Sequence, residues 1–268
     1  MPTLTISERD TIFYIHHPAG DAAKPTFVFF NPLTGDTGNW EGAIAPALRE
    51  QGFGTLTFDY RGQTQSTFAP QTQLTSQGIV NDAVALLDEV KPANPILVGL
   101  SIGGLYAAQA YLAGAAADKL VLINTLRRDG TRLKWIGDAL VRAVEIGGLQ
   151  LFRDLFLPLL MNEAWQSANR QNFLTKPAHY APLDTRSGTY KLLAEAGPSA
   201  NWDLPYEKLN LPTLVVTGLQ DHVFLDMADV DALYARLPQA KRLDLPNAGH
   251  LIPGERPELL TRILAELA

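Results

Sequence analysis

Three residues far apart in the 268-residue chain could together carry out nucleophilic catalysis. Ser101 stands in Gly99-Leu100-Ser101-Ile102-Gly103, a Gly-x-Ser-x-Gly pattern. A serine on a sharp strand-to-helix turn crowds its own backbone, so small residues are needed two before and two after it. With this chain's Gly and Ser frequencies, such a match arises by chance about 0.04 times per sequence of this length. The context strengthens it: the apolar run 96–100 precedes the serine and an alanine-rich helical pattern, 102–115, follows. The hydroxyl then sits at a helix N-terminus, where backbone N–H groups and the dipole favour a developing anion. The plainer alternative is a strand–helix turn with a capping serine.

A serine hydroxyl is a weak nucleophile without a general base, and the base needs an acid to orient it. His250 lies in Asn247-Ala248-Gly249-His250, between the last strand-like run and the last helical pattern. Asp221 follows another apolar run, in Gly218-Leu219-Gln220-Asp221. Asp221 comes 120 residues after Ser101 and 29 before His250. Alone, each would be an ordinary loop residue; in this order, each after a strand end, they read as nucleophile, acid and base. His222 is a rival base, but side chains of adjacent residues diverge, so Asp221 is badly placed to hold it.

The positioning elements follow from hydrophobic pattern. Residues 3–7 and 11–16 read as a hairpin. Apolar, β-branched runs at 26–30, 55–58, 96–100, 120–124 and 214–218, with a weaker one at 241–245, suit strands buried on both faces of a parallel sheet. Helical spacing appears at 40–51, 78–90, 102–115, 225–237 and 257–267. Strand–helix alternation with short connections predicts an α/β layered fold. From about 126 to 205 no strand pattern occurs. Helical patterns at 133–146, 149–157, 163–173 and 190–196 are punctuated there by Pro158, Pro177, Pro182, Pro198 and Pro205. The expected domain organisation is a core of 1–125 and 206–268 with a helical cap, 126–205, inserted into it.

Composition narrows the function classes. Hydrophobic residues make up 46% and charged residues 19%, which is globular and not disordered. Net charge is −6 and the pI near 5.4, so nucleic acid and anionic membrane surfaces are poor partners. With no cysteine, disulfides, thiolate catalysis and cysteine-ligated metal are excluded. The N-terminal ten residues are polar and no apolar run reaches the roughly 18 residues of a bilayer span, so a cytoplasmic location is expected.

Taken with these elements, the chain resembles the α/β-hydrolase fold superfamily, in the group that carries a helical cap between strands six and seven. Besides the serine motif, Phe58-Asp59-Tyr60-Arg61-Gly62-Gln63-Thr64-Gln65-Ser66 is similar to the family's D-x-R-G-x-G-x-S, with Thr64 in place of the second glycine. Leu211-Pro212-Thr213-Leu214-Val215-Val216-Thr217-Gly218 and Asn247-Ala248-Gly249-His250 match the family as well.

The resemblance implies a mostly parallel eight-stranded sheet flanked by helices, with Ser101, Asp221 and His250 as catalytic residues. It implies an oxyanion hole from the amides of Ile102 and Leu33, although Asn31-Pro32-Leu33 stands where the family has His-Gly-x. A serine at 101, and not the aspartate of dehalogenases and epoxide hydrolases, implies acyl transfer, and Asp129 is a reserve acid because some relatives place theirs after strand six. The expected activity is hydrolysis of a small carboxylic ester or lactone, with 3-oxoadipate enol-lactonases and small esterases as the nearest types. Carbon–carbon bond hydrolases, cofactor-free haloperoxidases or perhydrolases, and receptor-like binding modules share the fold and stand as alternatives. Trp135, Phe152 and Phe156 of the apolar cap are candidate pocket residues. Arg127 and Arg128, near Arg132, are candidates for binding a substrate carboxylate. No metal or organic cofactor is implied, and a homodimer is compatible with the sequence.

Overall fold

The computed structural model describes residues 2–174 and 179–268. Eight strands form one sheet: β1 (Thr3–Thr5), β2 (Thr11–His17), β3 (Thr26–Phe30), β4 (Gly54–Phe58), β5 (Pro95–Leu100), β6 (Lys119–Ile123), β7 (Thr213–Gly218) and β8 (Ala240–Leu245). Their spatial order is β1-β2-β4-β3-β5-β6-β7-β8. β1, β2 and β4 pair antiparallel, and every pair from β4 to β8 is parallel. The fully apolar runs occupy the centre, where β3 and β5 are buried on both faces.

Helices cover both faces: α1 (Gly38–Glu41), α2 (Ile44–Glu50), α3 (Ser76–Val90) and α4 (Ile102–Leu112) before the long β6–β7 connection. Within that connection lie α5 (Thr131–Leu160), α6 (Glu163–Asn169) and α7 (Gly188–Lys191), and after β7 come α8 (Met227–Tyr234), α9 (Ile252–Glu255) and α10 (Pro257–Leu267). One apolar core joins α3 and α4 to one sheet face through Leu97, Leu105, Tyr106 and Leu122. A second, on the opposite face, joins α1, α2 and α10 through Trp40, Val98, Val121 and Leu264.

Three expected helices take a different shape. The pattern 40–51 divides into α1 and α2 at Gly42-Ala43, where Ala43 leaves helical geometry. Conversely, 133–146 and 149–157 belong to one 30-residue element that kinks at Gly148, whose φ of 64° and ψ of −164° are non-helical. A Cβ there would lie 2.3 Å from the Ala181 carbonyl oxygen, so the bend requires glycine. Among the described residues the β6–β7 connection contains no strand. Pro177 lies outside them. No helix among them is long and apolar enough to cross a membrane.

Candidate active site

Ser101 is the single residue between β5 and α4, and it adopts φ 60° and ψ −128°. Such a backbone costs a non-glycine residue about 1–3 kcal/mol and persists only where neighbours over-determine it. Here the Ser101 amide donates to the Ile123 carbonyl at 2.7 Å, and Thr125 Oγ1 donates to the Ser101 carbonyl at 2.9 Å. The flanking glycines are sterically required: a Cβ on Gly103 would lie 2.4 Å from the Phe30 carbonyl oxygen, and one on Gly99 2.3 Å from Gly104.

The loops after β7 and β8 bring the acid and base together. His250 Nδ1 lies 2.6 Å from Asp221 Oδ2, both side chains almost wholly buried. Asp221 Oδ1 accepts the amides of Val223 at 3.1 Å and Phe224 at 2.9 Å. Burial pushes the Asp221 carboxyl up. Charge attraction and a hydrogen bond from His250, the Phe224 amide and the Arg127 charge outweigh it and hold Asp221 at about 2. An ionised Asp221 makes Nδ1 the protonated nitrogen and leaves Nε2 as the basic one.

The loop after β3 is built on a polar network. Asn31 Nδ2 donates to the Phe58 carbonyl at 2.8 Å and to Gln63 Oε1 at 2.9 Å, and its Oδ1 accepts from Trp40 Nε1 at 2.8 Å. Tyr60 Oη donates to the Asn31 carbonyl, and Gln63 Nε2 to the Pro32 carbonyl, each at 2.9 Å. The amides of Leu33 and Ile102 donate to no acceptor among the described residues. Thr64 takes up its own role in this region, donating to Asp36 Oδ2 at 2.6 Å.

The strained serine at a strand–helix turn and the buried Asp–His pair on the loops after β7 and β8 stand in a chain whose sequence matches a known protein family. The α/β hydrolase fold family matches residues 25–257. The chain belongs to this family. Among curated relatives it is 27% identical over 241 residues to a Mycobacterium tuberculosis protein described as the non-heme bromoperoxidase BpoC, covering 86% of this chain and 88% of that one. It is 24% identical over 249 residues to 3-oxoadipate enol-lactonase 2 of Acinetobacter baylyi, covering 89% and 86%. The crystal structure of the enol-lactonase from Burkholderia xenovorans LB400 superposes with a TM-score of 0.79 at 22% identity, covering 99% of this chain and 98% of that one.

The sequence-based candidates have different fates within this hydrolase. Asp129 is half exposed and pairs with Lys134 at 3.6 Å, while Asp221 holds His250. The His222 amide donates to the Leu159 carbonyl, and its residue borders an outer groove. That groove also holds Trp135, which is 73% exposed, and Phe156, against which the half-buried Phe152 packs at 5.4 Å. Arg128 is drawn outward to Asp229 at 3.4 Å. Arg127 goes inward: it is 7% exposed, and its Nη2 donates to Ser101 Oγ and to the Asn124 carbonyl, each at 2.9 Å. Burial lowers its pKa to about 10, which still leaves it charged at neutral pH. No bond joins Ser101 Oγ to His250 among the described residues.

Three supporting residues escaped sequence reasoning. Asn124, at φ 50°, donates through Nδ2 to the Gly249 and His250 carbonyls at 3.0 and 2.8 Å and accepts the Gly218 amide at 2.7 Å. It ties β6 to the loop of His250 and to the end of β7, which leads to Asp221. Phe224 packs its ring 4.8 Å from that of His250. The Glu255 carboxylate accepts the amides of Gly249, Leu251 and Asn162 at 2.8–3.0 Å, clamping the His250 loop to the residues that follow α5. The only available signal was their position beside the motifs.

Proposed function

We propose that this α/β hydrolase cleaves a small carboxylic ester or lactone through an acyl-enzyme on Ser101. The observation carrying the reading is the strained Ser101 turn, served by a His250–Asp221 pair at 2.6 Å and by two uncommitted amides. In this reading Ser101 Oγ turns from Arg127 to His250 Nε2 and attacks the substrate carbonyl. The hydroxyl proton passes to Nε2, and the carbonyl electron pair becomes an oxyanion held by the Leu33 and Ile102 amides. Asp221 fixes the imidazole tautomer and balances its charge. Collapse of the intermediate expels the alkoxide, which takes the proton from Nε2; for a lactone the alcohol stays tethered to the acyl group. Water, deprotonated by the same histidine, then adds to the acyl-enzyme, and Ser101 leaves with its proton restored.

The helical β6–β7 connection serves as the cap. Ser101 and His250 are only 6% and 3% exposed, so a substrate enters by displacing part of that cover. No step needs a metal or organic cofactor. Fluorophosphonate labelling tests the reading: an adduct on Ser101 together with turnover of short esters supports it, and the lack of both rejects it. The similarity to a non-heme bromoperoxidase favours one second reading. Hydrogen peroxide replaces water in the second half-reaction and releases a peracid. Bromination of a reporter dye by the enzyme with acetate, peroxide and bromide would reveal it.

A further inference from the structure

Arg127 is a buried charged group beside Ser101 that ester hydrolysis does not use. Two aromatic rings lie against its guanidinium, Phe224 at 4.2 Å and Trp202 at 5.2 Å from the guanidinium carbon to the ring centroid. Such rings attract the cation but accept none of its in-plane N–H bonds. Nη2 serves Ser101 Oγ and the Asn124 carbonyl, while Nε, fully buried, has no partner among the described residues. Elsewhere in this protein an Nε–Nη2 edge grips a carboxylate side-on: Arg61 holds Asp82 at 2.6 and 3.1 Å. Arg127 has no such anion among the described residues. Asp221 is the carboxylate nearest in influence, and its Oδ atoms are committed to His250 and two amides. A buried cation without a bonded counter-ion is costly, and its retention against a nucleophile calls for an anionic visitor.

We propose that Arg127 recognises a carboxylate on the acyl side of the substrate, and that this anion, by drawing the guanidinium off Ser101 Oγ, frees the oxygen for His250. The inference rests on the hydrolase reading above and specifies its substrate class: monoesters of short dicarboxylic acids, or lactones bearing a carboxylate. The acyl side follows from packing. The leaving-group oxygen must face His250, whereas Arg127 bonds Ser101 Oγ and makes no bond to that imidazole among the described residues; the Phe224 ring packs against both. With Nη2 at 2.9 Å from Oγ, the carboxylate sits a few bonds from the scissile carbonyl.

The test compares hydrolysis of monomethyl succinate and dimethyl succinate by pH-stat, in the wild type, Arg127→Met and Arg127→Lys. The wild type is expected to favour the monoanion at least tenfold in kcat/KM, mainly through KM. Arg127→Met should abolish or invert that ratio, and Arg127→Lys, which keeps the charge but loses the fork, should retain part of it. A neutral fluorophosphonate should label Ser101 faster in Arg127→Met, a change that a merely structural arginine would not produce. A wild type that prefers the diester overturns the proposal, whether or not the variants fold. So does an Arg127→Met variant that loses both substrates in equal proportion. Failure of the wild type to be labelled at Ser101 and to turn over either ester instead removes the hydrolase reading itself.

Discussion

At the residue scale, the roles divide by what each side chain can still offer once its bonds in the structure are counted. Ser101 offers an oxygen, His250 its free Nε2, and Asp221 a charge kept ionised by its surroundings. Ser101→Ala should remove turnover and still fold, since alanine meets the same backbone angles, at a cost of at most about 1–3 kcal/mol for the Arg127 bond it gives up. Asp221→Asn should lower kcat by about 10³–10⁴, the scale expected when an imidazole loses its tautomer control; activity within a factor of ten of wild type would contradict the assignment. The acid also predicts a pH effect on stability. Its carboxyl is depressed from 3.8 to about 2, so the contribution of its charge is fully present above the unfolded value. That contribution, about 2 kcal/mol, is lost as pH falls through 4 towards 2. Urea unfolding should therefore show the wild-type advantage over Asp221→Asn shrinking across that window.

At the scale of elements, strands were the most legible feature, since β3, β5 and β6 are apolar runs that hardly admit another reading. The serine turn was legible for a related reason: only glycine fits at 99 and 103, so steric need is written directly into residue type. Gly103→Ala should accordingly cost about 1–3 kcal/mol, read by urea unfolding, because the Phe30 carbonyl is backbone and cannot yield cheaply. Less legible was α5, where Gly147-Gly148 looks like an end between two helices and is a kink within one element. Least legible was the destination of Arg127. Its seat is set by Trp202 and Phe224, far along the chain, and no local pattern encodes such stacking. The loop after β3 shows a third situation. Where the family has His-Gly, Asn31 and Gln63 build a hydrogen-bond network that leaves the Leu33 amide uncommitted among the described residues. Gln63→Ala should lower kcat about tenfold or more with little change in KM, as expected for a loosened oxyanion donor.

At the scale of the whole molecule, the helical connection between β6 and β7 is fastened to the catalytic loops by backbone bonds. The amides of His222 and His250 donate to the Leu159 and Leu160 carbonyls at the end of α5, at 2.9 and 2.6 Å. If this connection acts as the proposed cap, its opening for substrate also loosens the loops that carry Asp221 and His250. This predicts a unimolecular opening step before any bulky reagent meets Ser101. The labelling rate should rise hyperbolically with fluorophosphonate concentration and reach the same plateau for probes of different chain length. A strictly linear rise would mean the nucleophile is already open.

The proposed roles of Ser101 as nucleophile and of His250 and Asp221 as its base and acid underlie every other prediction about activity. Intact-mass and peptide mapping after fluorophosphonate treatment tests them most directly. One phosphonate should appear per chain, on Ser101, with slow or no labelling in His250→Ala and loss of ester turnover in proportion to occupancy. An unmodified Ser101, or full esterase activity after its stoichiometric modification, would contradict the account.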